Sequence, residues 1–194
     1  MSTTEITNPL VRTVDGHGVP AAGTYVLDLA HSSVGFSVRH LMVSKTRGRF
    51  ADFSGTVTIG EDPLASSVEV EIRAASVDTR DEARDGHLQS PDFFDAETYP
   101  VIIYRSTKVI PAGGGEWTVE GDLTVKDTTV SVPLVVTFEG GAKDPWGGSR
   151  IGFAARTELD REAFGLTWNQ TLETGGVLVG KQVKIDIEAE AVQQ

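Results

Sequence analysis

Six separate runs of this chain alternate apolar and polar residues over seven to nine positions, and strict alternation is the mark of a strand with one buried face. In "VGFSVRH" the residues Val34, Phe36 and Val38 share a face, and His40 continues it. "VEVEIRA" sets Val68, Val70 and Ile72 against Glu69, Glu71 and Arg73. "WTVEGDLTV", "VSVPLVVTF", "IGFAARTEL" and "VKIDIEAEA" repeat the pattern, and "FADFSGTVTI" and "YPVIIYRSTKV" bring the expected total to about eight long strands. The links "GEDPLAS", "PAGGGE", "VKDTT" and "GGAKDPWGGS" are short, so successive strands are expected to be antiparallel neighbours. Pro133 has no amide proton for a ladder bond and must fall at an edge or bulge. A single sheet would leave its apolar face wet. It must either pack on a second sheet as a sandwich or close on itself, and closure into an eight-stranded antiparallel barrel removes the edges. The expected fold is therefore mainly β, with the barrel favoured over the sandwich.

The 194 residues are enough for one domain, with 39% hydrophobic residues to fill its core. Residues 1–22, polar and rich in Gly and Thr, read as a flexible N-terminal arm, and residues 23–194 as the barrel domain. A formal net charge of −11 without a basic run argues against nucleic acid as a partner and against broad adhesion to an anionic membrane. No cysteine is present, which excludes thiol nucleophiles and thiolate metal sites. The first residues show no positive stretch followed by an apolar one, so a cytoplasmic location is expected, and no run suits stable membrane insertion.

Two segments interrupt the strand rhythm. In residues 78–99, Thr79 with Glu82 fits a capping box for a short helix, and Ser90-Pro91 opens a second turn through Phe94. The carboxylates of "SPDFFDAETYP" are read as capping and solvating groups, with Phe93 and Phe94 docked on the barrel. Residues 160–182 form a long connection too apolar for free solvation, including Phe164, Leu166, Trp168 and Leu172. This segment is expected to fold over the barrel.

The motifs in "YVLDLAHSSVGFSVRHLMVSKTRGRFADFSGTVTI", the central "DGHLQSPDFFD" and the closing "FGLTWN" with "GGVLVGKQVKIDIE" together resemble the YceI-like family over roughly residues 24–192. That resemblance implies a lipocalin-like barrel with a short helical insertion and a long covering loop. It also implies a polyisoprenoid, an isoprenoid quinone or a similar amphiphilic lipid as ligand, for carriage, storage or sequestration, and no enzymatic activity. Many relatives are exported, whereas this sequence shows no leader. The residues themselves are compatible with such a role. A ten-residue strand spans roughly 33 Å, and each buried methylene contributes about 0.8 kcal/mol. Alternation alone does not separate a hollow barrel from a filled one.

Phe36, Val38, Phe94, Trp168 and Leu172 are the candidate residues of the cavity wall or mouth, and His40 is the candidate polar contact. Lys45, Arg47 and Arg49 follow in the next turn, as a cationic rim or simply a solvated hairpin. The four histidines form no metal-binding cluster in sequence, and no catalytic residue, metal or cofactor is expected. Two other classes remain. One is a barrel enzyme with His31 or a carboxylate as general base. The other is an interaction module whose exposed edge docks a partner, which leaves a homodimer open.

Overall fold

The computed structural model describes residues 9–173 and 175–194. The chain opens with a hairpin of β1 (Val11–Val14) and β2 (His17–Pro20), which turns on Asp15-Gly16 with both residues at positive φ. Asp-Gly is the residue pair that a type I′ turn favours, because glycine carries no Cβ penalty there. Leu10 and Val19 are buried, and the Arg12 guanidinium donates to the carbonyls of Gly60 and Glu61. In its described part, the segment read from sequence as a loose arm is therefore a hairpin seated against one end of the barrel.

The strands that follow are β3 (Gly23–Leu27), β4 (Ser33–His40), β5 (Ser44–Phe50), β6 (Phe53–Ile59), β7 (Ser67–Arg73) and β8 (Val77–Asp78). After the single helix, α1 (Glu82–Gln89), come β9 (Val101–Gly113), β10 (Glu116–Val125), β11 (Thr128–Ser131), β12 (Leu134–Lys143), β13 (Ser149–Asp160) and β14 (Val179–Gln193). The large sheet counts twelve strands, but β3–β4, β5–β6, β7–β8 and β11–β12 are each one bent stave broken by a kink, which leaves eight. Every stave pairs antiparallel with the next. The long β14 pairs with β13 along one edge and with β3 and β4 along the other, so the sheet closes on itself. Closure decides between barrel and sandwich.

The kinks have local causes. Asp28 accepts from Ala30 N at the β3–β4 corner, and His31 Nδ1 lies 2.9 Å from the same carboxylate. Between β11 and β12 the ladder breaks where Pro133 cannot donate. The Tyr104 hydroxyl reaches into this break, 3.0 Å from Val119 O and 3.1 Å from Val132 O. It needs room to do so: a Cβ at Gly121 would lie 2.4 Å from Tyr104 Cζ. Burial pushes the Tyr104 phenol up, which keeps it a donor.

The staves do not meet everywhere. Only the last two residues of β5, Arg49 and Phe50, pair with β8, so the stretch from Ser44 to Gly48 has a partner on one side only. Here the insertion fills the wall. Helix α1 is capped by Asp81, whose side chain accepts from Arg84 N. The expected cap, Thr79, instead donates through N and Oγ1 to Asp85 Oδ1. The turn that follows, Phe93 N to Ser90 O at 3.0 Å, drives both phenylalanines into the gap. Phe94 packs edge-on against Phe50, and Phe50 tilts against Phe36. Phe93 sits against His87 and Trp168, with Asp92 holding the His87 ring from 2.8 Å. The cap is thus Asp81, outside "SPDFFDAETYP"; within that stretch Asp92 orients His87 while the aromatic rings plug.

Candidate functional site

The inward side chains of the eight staves surround a cavity of about 350 Å³. Its lining steps by two along each strand, as the pleat requires: Val34, Phe36 and Val38 on β4, Val68, Val70 and Ile72 on β7, and Phe153, Ala155 and Thr157 on β13. Many of these residues, including Val70, Leu123, Val136 and Ile187, are only partly buried although they face the barrel axis. Inward residues exposed in this way mark an interior that is not filled by side chains. The lining is overwhelmingly apolar, and the Tyr104 hydroxyl within it is already engaged with backbone carbonyls. Water needs two to four polar partners, so such a space is dry and suited to hydrocarbon.

Of the residues expected from sequence, Phe36, Val38 and Phe94 line this cavity. The other three lie outside the lining. His40 continues the inward row of β4 but stands past the cavity's end, paired with Ser44 and Val179. Trp168 belongs to the outer aromatic plug, 4.6 Å from the His87 ring centroid. Leu172 is taken up in its own turn, where its N donates to Gly176 O and its carbonyl accepts from Gly175 N. Trp146, in the turn between β12 and β13, is 88% exposed and covers neither end of the barrel.

Sequence reasoning missed Arg161. It lines the cavity, is 4% exposed, and has no carboxylate within ion-pair distance among the described residues. Asp160 accepts from Glu162 N and starts a 3-10 turn over Arg161–Phe164. From that turn the guanidinium donates through Nε to Gly180 O at 2.9 Å, through Nη1 to Leu166 O, and through Nη2 to Val179 O at 3.5 Å. Removal from water pulls its pKa down, against a smaller opposing effect of Glu162 and Asp160. Arg161 thereby ties both ends of the covering loop to the barrel, and Phe164 and Leu166 complete the lining beneath it. Only the motif D-R-E-A-F-G, with its cap and terminating glycine, hints at the turn in sequence; the burial of its arginine leaves no signal.

At the opposite end Asp28, His31 and Glu190 come close enough to hold a cation. That place is taken by Arg150, whose Nη1 lies 2.6 Å from both Asp28 and Glu190 while Nε donates to Asp144 at 2.7 Å. The hydrogen bond from Arg150, followed by that from His31, lowers the Asp28 carboxyl from 3.8 to about 2. Asp144 is lowered in the same direction. A depressed carboxylate adds stability that is complete above its unfolded value and is lost as pH falls through its folded one. The thermal midpoint of Arg150→Met should therefore trail that of the parent above pH 3.8 and converge with it towards pH 2. A constant gap down to that pH would show that the cluster does not carry this linkage.

A closed antiparallel barrel of eight staves around a dry apolar cavity, plugged at the side and covered by an arginine-tied loop, is a lipocalin-like architecture. No helix of the described residues is long and apolar enough to cross a membrane. The profile of the YceI-like domain matches residues 25–191, and the chain belongs to that family. A UPF0312 protein of Vibrio cholerae is 41% identical over 150 residues, covering 75% of this chain and 78% of the relative. A UPF0312 protein of Staphylococcus aureus is 38% identical over 168 residues, covering 86% and 95% respectively. Among solved structures, Burkholderia cenocepacia BcnA superposes with a TM-score of 0.74 at 27% identity, over 84% of this chain and 98% of that one. A polyisoprenoid binding domain from Saccharophagus degradans shares the fold, with a TM-score of 0.64 at 15% identity, over 90% of this chain and all of the other.

Proposed function

We propose that the protein binds a long-chain isoprenoid or similar amphiphilic lipid inside the barrel and carries, stores or sequesters it. The observation that carries this reading is the unfilled apolar interior. At about 24 cal/mol per Å³, the measured cost of residual cavities in cores, 350 Å³ amounts to roughly 8 kcal/mol of missing packing. A hydrocarbon chain that enters recovers part of that and offsets its own ordering cost. With about 0.8 kcal/mol per methylene, a few isoprene units suffice for useful affinity without polar contacts. The cavity's size falls at the lower end of small-molecule sites, so a long chain folds within it or leaves part of its length outside.

Binding, not turnover, is the reading. Among the described residues none of the four histidines lines the cavity, and the arginine that does is committed to backbone carbonyls. Solvent extraction of the purified protein, followed by mass spectrometry, is expected to release a prenyl lipid. The stripped protein is expected to take up an added short polyprenol with a rise in its unfolding midpoint. No extracted lipid and no midpoint shift would together remove the proposal.

A further inference from the structure

The hairpin between β4 and β5 ends in Leu41, Met42 and Val43, which are 39%, 63% and 80% exposed. Val43 N donates to His40 O across the turn, and Leu41 and Met42 stand at φ of 52° and 62°. Those are type I′ positions, which favour Asn, Asp or Gly, yet two bulky apolar residues occupy them, both exposed. Val177 of the covering loop, itself 37% exposed, extends the patch, and Gly176 brings that loop up against Met42.

Along the hairpin itself the charge is the reverse of the molecule's. The protein carries a net charge of −11, but from Ala30 to Phe50 there is no acid, while Arg39, Lys45, Arg47 and Arg49 are present. Arg49 pairs with Asp78; Arg39, Lys45 and Arg47 have no carboxylate partner among the described residues. Arg39 and Lys45 lie directly opposite each other in the ladder, a placement of like charges that weakens a hairpin. On the neighbouring elements, Glu158 and Glu162 are already matched by Lys184 and Lys181. Val38 and Val179, at the base of the tip, line the cavity.

An apolar tip ringed by unpaired cations, kept against both backbone preference and charge repulsion, has the chemistry of an interfacial anchor. We propose that residues 39–47 dock the barrel reversibly on an anionic lipid bilayer, with Leu41, Met42 and Val43 entering the headgroup boundary and Arg39, Lys45 and Arg47 meeting lipid phosphates. The docked pose brings the Val38–Val179 end of the cavity against the membrane. This inference stands apart from the identity of the ligand, because it concerns where the barrel lands.

The test is co-sedimentation of the full chain with vesicles of phosphatidylcholine, with and without added phosphatidylglycerol. The parent protein is expected to sediment with the anionic vesicles, weaken on neutral ones, and weaken again with salt. Lys45→Gln with Arg47→Gln should lower partitioning by about fivefold per cation removed. Leu41→Asn with Met42→Gly installs the preferred turn pair, so the hairpin should hold at least as well while partitioning falls roughly tenfold. Trp146→Ala, at the other end of the barrel, should leave partitioning unchanged. Equal sedimentation with both vesicle types, no sedimentation with either, a loss caused by Trp146→Ala, or tip variants that partition like the parent would each overturn the proposal. So would light scattering that shows a second copy of the chain held by the tip. Uptake of polyprenol from solution, measured on the same variants, separates this failure from that of the ligand reading.

Discussion

Ala155→Trp is expected to abolish uptake of an apolar ligand without destabilising the protein. Ala155 lines the cavity from β13, with Val136 and Ile187 directly opposite on its two neighbours, so an indole placed there grows into the unfilled space. In a filled core the same change would overpack, at a cost of about 1–3 kcal/mol. In a hollow one it replaces missing packing, and the unfolding midpoint should hold or rise. Displacing even three methylenes' worth of ligand contact costs about 2.4 kcal/mol, roughly sixtyfold in Kd. Titration with a fluorescent apolar probe, alongside thermal unfolding, reads both arms. A variant that loses stability and still binds would mean that the interior is packed and the ligand lies elsewhere.

Arg161→Leu should cost about 3 kcal/mol and act first on the loop it ties down. The substitution keeps an apolar stem against the lining but leaves the carbonyls of Leu166 and Gly180 without their buried donor, at about 1–3 kcal/mol each, while Val179 O keeps Asn169 Nδ2 at 2.7 Å. Removing a desolvated guanidinium returns part of that loss, which is why the figure lies below the full sum. Amide exchange should rise between Leu166 and Leu172 before it rises in the barrel strands, and bound lipid should leave faster. A uniform rise across the whole sheet would instead make Arg161 a general core residue with no particular hold on the loop.

Individual residues show how far the chain could be read in advance. Phe36 and Val38 were legible because a strand's period of two places them with Val34 wherever the strand goes. Phe94 was legible because Ser90-Pro91 announces a turn and an apolar pair beyond it has few places to dock. His40 shows the limit of the same rule: periodicity gives the face of a residue but not its height along the barrel, and His40 is one step past the cavity. The N-terminal hairpin was missed although Asp15-Gly16 is a strong turn signal, because its strands are only four residues long and fully bury only Val19, Pro20 and the adjoining Leu10. Trp168 and Leu172 were apolar residues in the right segment, diverted by partners far away in sequence or by their own turn.

What the amino-acid order settled by itself was local: which residues form strands, which face of each is apolar, where the turns fall, and that the sheet must cover that face. Those outcomes depend on pleat, turn geometry and amide chemistry within a few residues. Whether the closed sheet is filled, how the gap beside β5 is plugged, and which buried cation ties the loop were decided only in three dimensions. Each of them depends on the distance between side chains on separate staves, and a period of two carries no information about the space across the barrel.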